Sequence, residues 1–126
     1  MPLEKLLLSL FKFMDYNIDA KNKKLGRLAS EIAVILQGKK HANYEPRLRG
    51  EDRVLVKNAG SLVVTGGKEV KMVYYKHTGY MGHLREKTFE QMFAKSPEQV
   101  LRKAIENMLP RNFLRDKRLR MLKIEK

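Results

Sequence analysis

Apolar residues recur at helical spacing in two long stretches of the chain. Between Leu25 and Gln37 they fall three and four residues apart, and Gly38 follows in the position of a C-cap. A second stripe, from Ser96 to Leu109, opens with Ser, Pro and Gln in the order of a capping box and stops before Pro110. This pattern predicts two helices with one face in the core.

Four short apolar runs, separated by polar or glycine-containing turns, predict β-strands. These are Tyr16–Ala20, Val54–Val56, Leu62–Thr65 and Val70–Tyr75. Because a strand, a helix and a strand follow one another at the start, we expect a parallel pair joined by a right-handed crossover.

Further elements are predicted toward the C-terminus. Thr88 is placed to cap a short helix, Phe89–Lys95, and Asn112 is placed to cap a last helix that ends near Leu119. The apolar residues from 121 to 124 can then pair as a strand.

The first 14 residues differ from the rest and predict an amphipathic helical extension before a domain of residues 15–126. Lys5, Ser9 and Lys12 would form one polar stripe among leucines and phenylalanines. The extension lacks the cleavage site of a secretory signal and the arginines of a mitochondrial presequence, which favours a bacterial cytoplasm over an organelle. The alternative is that translation begins at Met14.

Charge narrows the choice of partners. The 126 residues carry a formal net charge of +13 and no cysteine. Self-repulsion of this size is tolerable beside a polyanion, which indicates RNA, DNA or an anionic membrane, and no apolar run is long enough for a membrane helix. Without cysteine, neither a disulfide framework nor a thiolate metal site is available.

Catalytic patterns are absent from the sequence. No serine lies in a nucleophile elbow, the carboxylates are scattered, and His41, His77 and His83 have no metal-ligand spacing. The Gly66-Gly67-Lys68 turn lacks the first glycine and the hydroxyl of a phosphate loop. We therefore predict no enzyme activity, cofactor, metal or small-molecule substrate.

Three segments combine cations with aromatic or glycine residues, as RNA-contacting segments do. The segment Lys76–Lys87, KHTGYMGHLREK, has no apolar period and is interpreted as a loop, with Tyr80 as a stacking face. Lys39–Arg53 is interpreted as an exposed connection, and the segment from Arg111 to Lys123 is the most basic part of the chain.

The start of the first helix leaves two interpretations open. Lys24 and Arg27 lie where the helix dipole is already positive, so an external phosphate could bind there. Alternatively, Gly26 permits close helix–strand packing and the cations are solvated.

Several motifs in a fixed order closely resemble bacterial-type large-subunit ribosomal protein L13. The resemblance runs from about Tyr16 to Ile124 and rests on four stretches: IDAKNKKLGRLASEIAVILQGK (18–39), VKNAGSLVVTGGK (56–68), YYKHTGYMGHLR (74–85) and SPEQVLRKAIENMLPRN (96–112). The chain departs from the family pattern at Met81 and His83, where proline and glycine are usual, in lacking the His-Pro-His tail, and in its N-terminal extension.

The resemblance implies a single three-layer α/β/α domain on a small, mostly parallel sheet. It implies no catalysis, and binding to large-subunit ribosomal RNA beside neighbouring ribosomal proteins during early assembly, in the cytoplasm. Some family members also bind their own messenger RNA and repress its translation. No membrane partner is implied.

The residues and the resemblance together predict one set of RNA-binding residues. They are Lys24, Arg27, Lys39, Lys40, Arg47, Arg49, Lys68, Lys76, His77, Thr78, Gly79, Tyr80, Gly82, His83, Arg85, Lys87, Arg111, Arg115, Arg118 and Arg120. Two alternatives are a small nucleotide-binding enzyme that uses Gly66–Lys68 and a regulatory RNA binder outside the ribosome.

Overall fold

The structure is a computed structural model that describes residues 2–3 and 14–126. The predicted N-terminal extension lies almost entirely outside these residues. In chain order the elements are β1 (Asp15–Asp19), α1 (Leu25–Gln37), β2 (Arg53–Lys57), a 3-10 turn (Ala59–Ser61), α2 (Lys68–Lys71), β3 (Val73–His77), β4 (Leu84–Thr88), α3 (Phe89–Lys95), α4 (Pro97–Met108), α5 (Leu114–Leu119) and β5 (Leu122–Ile124).

Strand β2 is the centre of a three-stranded parallel sheet. It pairs with β1 on one side and with β5 on the other, in the order β1-β2-β5. Val56 is the Cα partner of both Ile18 and Ile124. The predicted α/β class, the parallel β1–β2 pair and the C-terminal strand are confirmed.

The core lies between this sheet and the helices α1 and α4, which pack against each other. Both helices begin and end where the apolar stripes predict. Gly38, at φ +78°, caps α1 and donates its backbone N–H toward the last turn. The fully buried side chains include Leu28, Ile32, Leu36, Val54, Val56, Val100, Leu101 and Ile105.

The sheet buries one face among the described residues. Ile18, Val54 and Val56 are buried, whereas the alternating Asn17 and Lys123 are exposed. Leu55, between Val54 and Val56 in β2, is half-buried. The observed architecture agrees with the single α/β domain on a small, mostly parallel sheet that the resemblance implies.

Two of the predicted strands are placed differently in the structure. Leu62–Thr65 forms only a single parallel bridge, between Val63 and Lys24. Gly66 and Gly67, at φ +76° and +71°, turn the chain into the one-turn helix α2, which includes the exposed Val70. The apolar run alone did not reveal this turn because short runs are ambiguous between helix and strand.

The helix caps also differ from the sequence prediction. Thr88 caps α3 as predicted and forms a full capping box with Gln91, with bonds of 3.3 Å in both directions. The capping box predicted at Ser96 and Gln99 is not formed, because the Ser96 side chain makes no cap hydrogen bond. Pro97 still occupies the first position of α4, where its missing N–H costs nothing.

This difference predicts unequal costs for two similar substitutions. We expect Thr88→Ala to lower the free energy of unfolding by about 1 kcal/mol, because it removes an N-cap acceptor. Ser96→Ala is the matched control and should change it by less than about 0.5 kcal/mol. Urea unfolding of both variants measures the difference. Equal losses would contradict the assignment of the caps.

Candidate nucleic-acid interface

The basic segment 76–87, predicted as a loop, is mostly a β-hairpin. Strands β3 and β4 pair antiparallel, with Lys76 opposite Arg85 and His77 opposite Leu84. Lys76, His77, Arg85 and Lys87 are all exposed, so no buried face imposes an apolar alternation on the sequence. That is why the period did not predict β4 or the end of β3, whereas the start of β3 lies within the predicted strand Val70–Tyr75.

The tip of this hairpin, residues 78–83, is held by its own hydrogen bonds. The backbone N–H and the hydroxyl of Thr78 both donate to the carbonyl of His83, at 3.0 and 3.1 Å. Gly79 donates its N–H to Nδ1 of His77 at 3.0 Å, and the His77 side chain is exposed. The tip is therefore a structured turn.

The tip presents two side chains to solvent. Tyr80 is 74% exposed and Met81 is 95% exposed. The Tyr80 ring meets the His83 ring edge-on, with centroids 6.3 Å apart. Gly79 and Gly82 have φ of +89° and +72°, and a Cβ built at either would touch nothing, so these glycines serve the backbone conformation.

The hairpin packs on α2 and α3 and lies apart from the parallel sheet in the fold. Phe89 N donates to the carbonyl of Met72, which ties the end of β4 to the start of β3. Burial raises the pKa of Tyr74 in β3, which keeps its hydroxyl protonated.

A second basic surface lies where the three parallel strands begin. We call it the amino-edge cleft: a cleft of about 570 Å³ lined by four cations, one carboxylate and Tyr16. The cations are Arg49, Arg53, Arg120 and Lys123, and the carboxylate is Asp15. Parallel strands place their first residues at one edge, so three distant segments of sequence meet here.

The three arginines of the cleft have no carboxylate partner in the described part of the chain. Arg49, Arg53 and Arg120 are exposed and take part in no ion pair there. Lys123 lies 3.7 Å from Glu125. Clustered cations without counter-charges repel one another, so the cleft favours an anion.

In the connection 39–52, which leads to this edge, two carboxylates pair with side chains of the same segment. Asp52 is buried and lies 2.6 Å from Nε2 of His41, and Arg47 donates to Glu45 at 2.8 Å. Lys40 places its Nζ atom 5.4 Å from the centre of the Tyr16 ring. A cation over an aromatic face adds a basic, flat surface beside the cleft.

The basic C-terminal helix divides into exposed and inward-facing residues. Arg111 and Arg120 are exposed. Arg115 is half-buried, with Nη2 3.7 Å from Glu106. Arg118, predicted as an RNA ligand, is 1% exposed and donates its hydrogen bonds inside the protein, so the structure places it away from the surface.

At the start of α1 the cations Lys24 and Arg27 are exposed. A Cβ built on Gly26 meets nothing within 4 Å, so the alternative that Gly26 permits close helix–strand packing is wrong. Asp19, at the opposite edge of the sheet, accepts from Asn58 Nδ2 at 2.9 Å and from Lys21 N at 3.0 Å, and these bonds lower its pKa.

Of the predicted site residues, all but three are exposed. The exceptions are Thr78 and Arg115, which are half-buried, and Arg118. The structure brings Arg49 and Arg120 together in the amino-edge cleft and Lys76–Lys87 together in the hairpin.

The sequence prediction left out three residues that line the cleft and one exposed aromatic residue in the basic C-terminal segment. Arg53, Lys123 and Tyr16 line the cleft, and Phe113 is 75% exposed with Nζ of Lys117 5.5 Å from its ring centre. A signal for Phe113 was present, since it is an aromatic residue within the most basic segment. Arg53 and Lys123 lie within two of the predicted basic segments, but no local pattern showed that these distant segments meet at one cleft.

In the described residues, no group of three histidine, aspartate or glutamate side chains could hold a metal ion. None of the helices there is both long and apolar enough to cross a membrane.

Comparison with known proteins identifies the class as ribosomal proteins of the large subunit. The chain is 44% identical over 109 residues to "Large ribosomal subunit protein uL13" of Chloroflexus aggregans, covering 86% of this chain and 76% of the relative. It is 47% identical to the protein of that name from Symbiobacterium thermophilum, over the same shares of both chains. A third, from Rubrobacter xylanophilus, is 46% identical over 109 residues, again 86% of this chain and 76% of the relative.

A family model described as Ribosomal protein L13 matches residues 14–125. The chain belongs to the ribosomal protein L13 family, as the motifs predicted. The family consists of structural ribosomal components and not of enzymes.

The turn that carries Arg49 into the cleft depends on the glycine after it. Gly50 has φ +84°, and a Cβ there would lie 3.0 Å from the carbonyl oxygen of Leu36 at the end of α1. We expect Gly50→Ala to lower the free energy of unfolding by roughly 1–3 kcal/mol, because the backbone is strained and the carbonyl cannot move freely.

Gly26→Ala is the matched control for this prediction. Gly26 lies within α1 in open space, so alanine there should raise stability by up to about 1 kcal/mol. Thermal unfolding of both variants measures the effects. If Gly50→Ala were as stable as Gly26→Ala, the tight contact with α1 would be refuted.

Proposed function

We propose that the chain binds large-subunit ribosomal RNA through the amino-edge cleft and the β3–β4 hairpin, and that this binding supports assembly of the large subunit. The proposal places the protein in that subunit, in the cytoplasm, beside other ribosomal proteins. Family membership supports the location, and the described surfaces support the mode of binding.

The cluster of unpaired arginines in the cleft is the observation that carries the proposal. Arginine donates to phosphate oxygens in a fixed fork, so a cleft with several of them suits a folded phosphate backbone. A single small anion would neutralise only part of this charge. An extended polyanion can contact the cleft and the flanking Lys39 and Lys40 together.

The position of the cleft also argues against the nucleotide-binding alternative. In open parallel sheets, small ligands bind beyond the carboxyl ends of the strands. Here the three arginines of the cleft lie at the opposite edge. The carboxyl edge instead carries Asp19 bonded to Asn58, and Ala59 N bonded to the carbonyl of Glu125.

The hairpin contributes a different kind of contact. Tyr80 stands exposed at a rigid tip, with Lys76, Arg85 and Lys87 on the strands behind it. An unstacked base can lie on the tyrosine ring while the cations contact phosphates on either side, as in other RNA-binding surfaces. Binding of the chain's own messenger RNA, which the resemblance implies, would use the same chemistry and stays a prediction.

The salt dependence of binding tests the cleft. We expect the double substitution Arg53→Gln and Arg120→Gln to reduce the slope of log affinity against log salt by roughly 1.4–1.8, since each phosphate contact contributes about 0.7–0.9. Filter binding of a large-subunit rRNA transcript at several salt concentrations measures the slope.

The control removes the same charge elsewhere. Lys95→Gln with Lys103→Gln takes two exposed cations from α3 and α4, which lie outside both surfaces, and should leave the slope nearly unchanged. Equal slopes for the two double variants would refute the cleft as the contact. Sedimentation of the cellular protein free of large subunits would refute the function itself.

A further inference from the structure

Arg118 is a buried cation without a buried anion. It lies in α5, it is 1% exposed, and it takes part in no ion pair in the described part of the chain. Taking a guanidinium out of water is costly unless its donors are satisfied. An apolar residue would fill this position at a lower cost in desolvation. The hydrogen bonds of Arg118 therefore require an explanation.

Those hydrogen bonds all go to one short surface segment. Nε donates to the carbonyl of Arg49 at 3.2 Å, and Nη2 donates to the carbonyls of Pro46 and Leu48 at 3.4 and 3.1 Å. We call residues 46–49 the arginine turn. It belongs to no helix or strand.

Few other bonds fix the arginine turn. Leu48 N donates to the carbonyl of Glu45 at 3.1 Å, and Gly50, which follows the turn, lies against the end of α1. The guanidinium therefore supplies most of the hydrogen bonds that join this turn to the rest of the fold.

The arginine turn carries two exposed cations toward the surface. Arg49 lines the amino-edge cleft, and Arg47 extends beside Glu45. Because the guanidinium of Arg118 holds the backbone on which both side chains stand, it decides where their charges lie. A loose turn would have to be ordered when RNA binds, and ordering even one residue costs about tenfold in affinity.

We propose that Arg118 is a positioning residue for RNA binding: it never touches RNA, and it holds the arginine turn from beneath so that the backbone carrying Arg47, and Arg49 at the cleft, is preorganised. This inference rests on the proposed function.

Arg102 provides a matched control inside the same protein. Its two terminal nitrogens donate to the carbonyls of Leu119 and Leu122, each at 3.4 Å, so it also joins two elements through backbone carbonyls. It makes no bond to the arginine turn. Removing either guanidinium should disturb packing around α5, and only one of them should loosen the turn.

A double-mutant cycle tests the proposal. Affinity for a large-subunit rRNA transcript is measured for Arg118→Met in the otherwise unchanged chain and in a background with Arg47→Gln and Arg49→Gln. We expect the affinity to fall about tenfold in the first case and less than twofold in the second. Without its two cations the turn does not contribute to RNA binding, so loosening it should not change the affinity. Arg102→Met should have the same effect in both backgrounds, because its hydrogen bonds hold the backbone on either side of Arg120 and not the arginine turn.

Hydrogen exchange supplies a readout that does not depend on RNA. Exchange at the amide of Leu48, which donates to the carbonyl of Glu45, should quicken in Arg118→Met and stay unchanged in Arg102→Met. If Arg118→Met does not fold, Arg118→Lys enters the same cycle, since its ammonium keeps the charge and loses the planar fork.

Two outcomes would overturn the proposal. Equal losses in both backgrounds would show that Arg118 does not act through Arg47 and Arg49, and unchanged affinity in both would make its role one of stability alone. Either result leaves the proposed function standing, because binding of RNA by the unmodified chain is measured in the same experiment. Failure of that binding would instead refute the proposed function.

Discussion

The pairing of β2 with a parallel strand on each side is the constraint on which the other features depend. Its residues Val54 and Val56 are fully buried beneath α1 and α4, so the register with β1 and β5 cannot slip by one residue without turning apolar side chains to solvent. The same register fixes where all three strands begin. A surface made from residues 15, 53 and 120 exists only because that edge is aligned.

The distribution of charged side chains follows the alignment of the three parallel strands. The exposed arginines at the amino edge lack carboxylate partners in the described part of the chain, whereas Asp52 and Glu106 are paired with His41 and Arg115. Exposed ion pairs contribute little to stability, so leaving cations unpaired costs the fold little. What it adds is attraction for a polyanion, which grows with each unpaired charge. Arg118 differs from these exposed arginines, because its guanidinium donates to three backbone carbonyls inside the fold.

Sequence reasoning succeeded where a periodic signal was matched by burial. Helix α1 was predicted with its observed bounds because its apolar stripe lies against the sheet and Gly38 ends it. It failed where burial gives no pattern: β4 and the end of β3 are exposed, and the predicted strand Val70–Tyr75 begins only at Val73, after a helical turn at Lys68–Lys71. The motifs of the family supplied what local periodicity could not, namely membership and class.

The limit of prediction from the sequence is clearer for the candidate site. Counting cations predicted that the C-terminal helix contacts RNA, and sequence alone could not tell Arg118, which points inward, from Arg120, which lines the cleft two residues later. On a short helix, two residues make a rotation of about 200°, so neighbours of the same type can face opposite directions. Arg118 is informative because burying its guanidinium costs free energy. A buried guanidinium without a carboxylate partner indicates that the backbone segment to which it is hydrogen-bonded has a functional role. That segment carries Arg49.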